Sequence, residues 1–168
     1  MELLFLDALT DKNSLHSYKT VYDRYISGRK KVLEIGIQRG GSILTWAATG
    51  AEVWAIDINP PPAFLSHPRI HIGRGNAYDK KAIEALGDNK FDMIVEDGSH
   101  TPEDILWAAK HYTGLLSEKG VMIIEDIPND AVVSQLKMIP GFFTVEFDLR
   151  SVKGRYDDRI VVLERIPK

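Results

Sequence analysis

Cysteine is absent from the 168 residues, which removes disulfides, thiolate metal sites and thiol nucleophiles together. An excess of one charge is missing as well: 21 Lys and Arg stand against 24 Asp and Glu, a formal net charge of −3. No global basic field draws such a chain to nucleic acid or to an anionic membrane surface. Long apolar runs are also lacking. The longest are about five residues, as around Val121–Ile124, where a membrane-spanning helix needs roughly 20. Met1–Leu9 is largely apolar but carries Glu2 and Asp7 where a secretory signal wants positive charge. The expectation is a soluble, cytoplasmic protein with neither a nucleic-acid nor a membrane partner. What is present is an average globular composition, 44% hydrophobic and 27% charged. A chain of this length suits one domain that buries about two-thirds of its unfolded surface.

Apolar runs rich in β-branched residues recur at Lys31–Ile35, Glu52–Ile56, Arg69–Ile72, Phe91–Val95, Val121–Ile124, Phe142–Phe147 and Ile160–Leu163. Near-continuous apolar character in Ile94-Val95 and Met122-Ile123-Ile124 predicts strands covered on both faces, as in parallel sheets. Helical patterns separate the earlier runs. The clearest opens at Thr101-Pro102-Glu103-Asp104 and continues through Ile105, Leu106, Ala108, Ala109, Tyr112, Leu115 and Leu116. Thr101 can cap it, Pro102 suits the first helical position, and two acids favour the positive helix end. Alternation of this kind predicts a doubly wound, Rossmann-like α/β sheet of seven strands. No helix is expected between the last two runs, so they should pair antiparallel across a turn. The sheet is then mostly parallel, with an antiparallel last strand. Asn59-Pro60-Pro61-Pro62 reads as a rigid loop rather than a domain linker, because strand patterning resumes directly after it.

Val32–Ile35 runs into Gly36, then Ile37-Gln38-Arg39-Gly40-Gly41-Ser42 before a helix. Glycine permits a sharp reversal and a close approach of ligand to backbone. The dinucleotide fingerprint needs glycine at the third position of G-x-G-x-x-G, where this chain has Gln38. Glu34 suits a cationic ligand better than a pyrophosphate. Asp57 ends the second strand 21 positions after Gly36, near the roughly 20-residue offset of a ribose-binding acid. Alone, the turn is equally well an ordinary strand–helix connection; with Asp57 in register, a nucleoside site is the better reading. Asn76 in Gly75-Asn76-Ala77 follows the third strand, where its amide can reach an adenine edge.

The fourth strand ends in Glu96-Asp97-Gly98-Ser99-His100 and the fifth in Glu125-Asp126. Ligands of open α/β sheets bind outside the carboxyl ends of the strands, so both acidic pairs belong to that edge. Carboxylates crowded there repel unless a cation or a proton compensates. Acids at strand ends also cap helices or stay solvated, but two convergent sets beside a glycine turn favour an ion. Oxygen ligands without thiolate favour Mg²⁺, with Mn²⁺ and Ca²⁺ as alternatives. Asp97, Glu125 and Asp126 are the expected metal ligands and His100 the candidate general base. Consecutive strand residues face opposite sides, so Glu125 and Asp126 can share an ion only where the strand has broken, for which Pro128 supplies a reason. His67, His71 and His111 read as structural.

Together these stretches resemble the class I S-adenosylmethionine-dependent methyltransferases, and within them the metal-dependent macrocin and mycinamicin sugar O-methyltransferases. The resemblance spans nearly the whole chain, through Asp11-Lys12, His16-Ser17-Tyr18, Leu33–Gly36, Asp57, Asp97–His100 and Ile124–Asp126. It implies transfer of a methyl group to a hydroxyl of a sugar or similar polyol, assisted by Mg²⁺, with His100 as base. It implies a cofactor cradle from Glu34, Gly36, Gly40 and Ser42, a ribose clamp at Asp57, a base contact at Asn76 and Ala77, and Asp97 beside the cofactor. Lys12, His16 and Tyr18 would form part of a lid, making residues 1–28 an N-terminal helical lid and 29–168 the α/β core of a single methyltransferase domain. Glu96 stands where relatives often carry Asp, and Asn76 where an acid is common. The acceptor would be a small hydroxyl compound and the assembly a homo-oligomer. The alternative is a non-catalytic or metal-independent S-adenosylmethionine-binding protein of the same fold.

Overall fold

The computed structural model describes residues 5, 9–59 and 62–167. Most of the Met1–Leu9 stretch, and Pro60 and Pro61 of the proline loop, therefore lie outside the described residues. In chain order the elements are α1 (Lys19–Tyr25), β1 (Lys31–Ile35), α2 (Gly41–Ala48), β2 (Glu52–Asp57), β3 (Ile70–Arg74), α3 (Lys80–Leu86), β4 (Phe91–Glu96), α4 (Pro102–Tyr112), β5 (Leu116–Ile124), α5 (Asp130–Leu136), β6 (Phe142–Asp148), α6 (Arg150–Lys153) and β7 (Arg159–Arg165). The strands form one sheet in the order β3-β2-β1-β4-β5-β7-β6. β1 to β5 pair in parallel, and β7 is antiparallel to both β5 and β6. The connection between β6 and β7 differs from the expected plain turn. It contains α6, a single turn closed by Gly154 in the left-handed conformation.

Strand alternation explains the two cores. Val32, Val53, Met93, Val95, Val121 and Ile123 face α1 and α2, packing on Tyr22 and Trp46. Leu33, Ile35, Ile94, Met122 and Ile124 face the opposite layer, with Ile105, Ala108 and Tyr112 of α4 and Val132 and Leu136 of α5. Both faces being covered is why these strands read as unbroken apolar runs. Helix α4 begins as its sequence dictates: the Thr101 hydroxyl accepts from the Asp104 amide at 3.3 Å. It ends at Tyr112, and Leu116 already belongs to β5, so the apolar pattern outran the helix. Gly120 is needed within β5, because a Cβ there would sit 2.7 Å from the Phe91 carbonyl oxygen. None of the described helices is long and apolar enough to cross a membrane.

The stretch expected to form a lid is anchored in the first core. Tyr18, Val21, Tyr22 and Ile26 are almost wholly buried, and the Tyr22 ring packs against Trp46 of α2 at 4.8 Å between centroids. Residues 9–28 thus pack into the first core through these side chains.

Candidate functional site

The strand order reverses between β1 and β4, which opens a crevice at their carboxyl ends. A cavity of about 500 Å³ occupies it. Gly36, Asp57, Asn76, Ala77 and Asp97, all expected cofactor contacts, line it together with His100 and Asp126. A neighbouring cavity of about 410 Å³ between β2, β3 and α3 shares Ile56, Gly75 and Asn76 with it.

Gly36 has φ +92°, and a Cβ there would lie 2.0 Å from the Asp97 carbonyl oxygen. Only glycine lets the turn after β1 lie against the end of β4, leaving its backbone open to the cavity. Asp57 holds the same turn. Its carboxylate accepts from the amides of Ile37 at 2.7 Å, Gln38 at 3.4 Å and Asn59 at 2.8 Å. A carboxylate has about four lone-pair sites, so capacity remains for hydroxyls of a nucleoside. The Asn76 carbonyl oxygen accepts from the Tyr78 amide at 3.0 Å, which fixes the side chain at the cavity wall and leaves its NH₂ unused by that bond.

Three expected cradle residues stand elsewhere. Glu34 shares a strand face with Val32 and points under α2. There its fully buried carboxylate accepts from Ser42 Oγ at 2.7 Å and from the Trp46 indole. Gly40 caps α2 in the left-handed conformation and is packed against Leu65. Glu34, Gly40 and Ser42 therefore support the cavity from behind and do not line it.

The metal set divides as well. Glu125 continues the alternation of β5, so it falls on the same face as Ile123 and meets α1. Its carboxylate accepts from the Tyr22 hydroxyl and, at 2.8 Å through each oxygen, from Lys12 Nζ. Asp126 has φ +51°, a left-handed geometry that sends its carboxylate the other way, toward His100 Nε2 at 3.6 Å. Asp97, His100 and Asp126 each offer a ligand atom, all within 4.8 Å of one another. The Asp97 and Asp126 carboxylates opening on the cavity fit a divalent cation, with the His100 imidazole beside them. Glu125 is not among them: the break after Ile124 separates it from Asp126 instead of joining them.

Lys12 is the residue whose role the sequence least discloses. Expected in a lid, it is fully buried, with Nζ 2.5 Å from Asp97 Oδ2, 2.8 Å from Glu125 and 3.5 Å from Glu34. Burial pulls its pKa down, but Asp97, Glu125 and Glu34 outweigh that and hold the ammonium well above its usual range. Burial, then the charge of Asp97, pushes Glu125 well up, and burial pushes Glu34 up. One ammonium among three carboxylates stays charged, and burial is the main force favouring the protonated forms of Glu125 and Glu34. His16 and Tyr18 are also buried, with stacked rings 4.5 Å apart, and the Tyr18 hydroxyl donates to Asp126.

Tyr78 escaped notice in the sequence. Its hydroxyl donates to Glu96 Oε1 at 2.6 Å and accepts from the Ser99 amide at 2.8 Å. A Cβ on Gly98 would stand 2.0 Å from it, so Gly98 and Tyr78 together pin the Asp97–His100 loop. His100 has φ +57°, and backbone strain of this kind persists only where the surroundings over-determine it. Its side chain is 39% exposed toward the cavity mouth.

A rhamnosyl tetracenomycin 2'-O-methyltransferase of Streptomyces olivaceus is 24% identical over 164 aligned positions, covering 89% of this chain and 39% of that protein. The MycE methyltransferase of the mycinamycin pathway, solved with Mg, S-adenosylhomocysteine and mycinamycin VI, superposes with a TM-score of 0.65 at 19% identity, covering 92% of this chain and 52% of that one. The 1,6-didemethyltoxoflavin N1-methyltransferase of Burkholderia thailandensis, solved with S-adenosylhomocysteine, superposes with a TM-score of 0.71 at 16% identity, covering 96% and 82%. The chain thus spans about two-fifths of the curated relative and half of MycE. Residues 33–127, more than half of the chain and every strand end that forms the cavity, match the family described as a methyltransferase domain, and the chain belongs to that family and has the class I methyltransferase fold.

Proposed function

We propose that this chain transfers a methyl group to a hydroxyl oxygen of a sugar or similar polyol, with a divalent cation held between Asp97 and Asp126. The observation that supports it best is the Asp97–His100–Asp126 group opening on the cavity lined by Gly36, Asp57 and Asn76. The named activities of the tetracenomycin and mycinamycin relatives suggest the acceptor class. S-Adenosylmethionine would supply the methyl group from its sulfonium, leaving as the neutral thioether S-adenosylhomocysteine, and a divalent ion would supply positive charge that makes an acceptor hydroxyl easier to deprotonate.

The chain's own residues then have separate tasks. Asp57 binds the ribose hydroxyls, while Asn76 and Ala77 border the base. Asp97 and Asp126 hold the cation. His100 Nε2 takes the hydroxyl proton as the oxygen–methyl bond forms and the methyl–sulfur bond breaks. Lys12 and Glu125 position Asp97 from below. Holding the acceptor oxygen in line with the breaking bond contributes the proximity part of the acceleration.

His100→Ala should reduce turnover by roughly 10²–10⁴-fold while S-adenosylhomocysteine affinity, read by calorimetry, is retained. Unchanged turnover would remove His100 as the base. One observation favours a second reading, metal-independent transfer in the same pocket: the Lys12 ammonium already compensates Asp97. Sensitivity to chelators separates the two.

A further inference from the structure

Asp126 faces a second group of ligands on its other side. His16, Asp126 and Asp157 each present a ligand atom within 4.8 Å of the others. His16 is 3% exposed, and its Nδ1 has no hydrogen-bond partner among the described residues although it lies 3.5 Å from both Asp126 Oδ1 and Asp158 Oδ1. Two more buried atoms there are orphaned, Asp157 Oδ1 and Asp158 Oδ2, and Asp158 is wholly buried. Buried polar atoms are rarely left unpaired, and orphaned atoms on three neighbouring residues, two of them in one ligand group, call for an occupant.

Charge narrows what that occupant is. Asp126, Asp157 and Asp158 bring three carboxylates to the spot. Among the described residues Arg155 pairs with Asp157 Oδ2 at 3.0 Å, while Asp157 Oδ1 and Arg155 Nε have no hydrogen-bond partner. The Tyr18 hydroxyl uses one lone pair of Asp126 Oδ1, and the Ser17 amide donates to Asp158 Oδ1 at 3.2 Å. Neutral donors of this kind stabilise a buried carboxylate without cancelling its charge. One imidazole with carboxylates and no thiolate suits a borderline divalent ion, Mn²⁺ or Zn²⁺, more than Mg²⁺.

We infer that His16, Asp126 and Asp157 form a second divalent-cation site, with Asp126 shared between it and the Asp97 side of the cavity. The site stands on its own residues and does not depend on what the enzyme methylates. Two such ions beside an acceptor would give the protein a paired metal centre in place of a single one.

Equilibrium dialysis of the chelator-stripped protein against Mn²⁺, followed by metal analysis, counts the ions. The wild type should bind two per chain. Asp157→Asn and His16→Gln should each lose one while retaining S-adenosylhomocysteine binding, and Asp97→Asn should lose the other. One ion bound equally by wild type and Asp157→Asn overturns the second site and leaves the Asp97 site standing. One ion lost in Asp157→Asn but kept in Asp97→Asn supports the second site and removes the first. No bound ion overturns both. Should both His16 and Asp157 variants fail to fold, nitrogen modulation of the Mn²⁺ spin echo in His100→Ala reads the His16 imidazole directly; its absence overturns the site.

Discussion

Glu96 carries a measurable electrostatic cost. It ends β4 fully buried, with Oε1 accepting from Tyr78 at 2.6 Å and Oε2 without a partner. Burial pushes its pKa from an ordinary 4.5 up to about 7, against the opposing hydrogen bond from Tyr78. Through that window the folded protein holds a proton that the unfolded chain releases, so stability falls as pH rises. Between about pH 5 and about pH 7 this one group removes roughly 2 kcal/mol of stability, and the loss levels off above its folded pKa. Glu96→Gln keeps an acceptor for Tyr78 and cannot ionise. Urea unfolding of both proteins in EDTA across that range isolates the effect, since other titrations largely cancel in the difference. The variant should gain on the wild type by roughly 2 kcal/mol as pH rises. Tyr78→Phe, which removes the lowering bond, should extend the decline to higher pH. A difference independent of pH would refute the reasoning.

Three further outcomes follow from contacts at the site. Lys12→Met strips the cation from Asp97, Glu125 and Glu34 and should cost about 3–5 kcal/mol in chemical denaturation; a near-neutral result would mean those acids are already protonated. Gly36→Ala forces a Cβ onto the Asp97 carbonyl, backbone against backbone, and should cost about 3 kcal/mol, lowering the melting temperature and S-adenosylhomocysteine affinity together. Asp57→Asn loses carboxylate acceptors needed by the Ile37 turn and the ribose, so S-adenosylhomocysteine should bind about tenfold more weakly by calorimetry.

The strands were legible because each is covered on both faces and so carries its burial in local composition, and α4 because its cap, proline and acids are all contiguous. Helix α6 was not, since one turn of Arg150–Lys153 has no apolar period to read. The cavity wall followed from motifs tied to strand ends: Gly36, Asp57, Asn76, Asp97 and His100 all face it. What failed was the direction of side chains beyond those ends. Alternation along β1 turns Glu34 toward Ser42 and Trp46, and alternation along β5 turns Glu125 toward Tyr22; both follow from strand geometry once the packing of α1 and α2 is known. Lys12 and Tyr78 reach the site from 85 and 18 positions away in sequence, a separation that carries no local signal. A lone lysine before a helix, expected in a lid, carries no sign of the three acids it meets.

Methyl transfer from labelled S-adenosylmethionine to a panel of rhamnosides and related polyols, before chelation, after it and after Mg²⁺ is restored, addresses the central proposal most directly. Label on a hydroxyl oxygen that disappears with the chelator and returns with the ion is the outcome required of Asp97 and Asp126. Transfer that continues undiminished in the chelator would contradict it and leave Lys12 as the site's working cation.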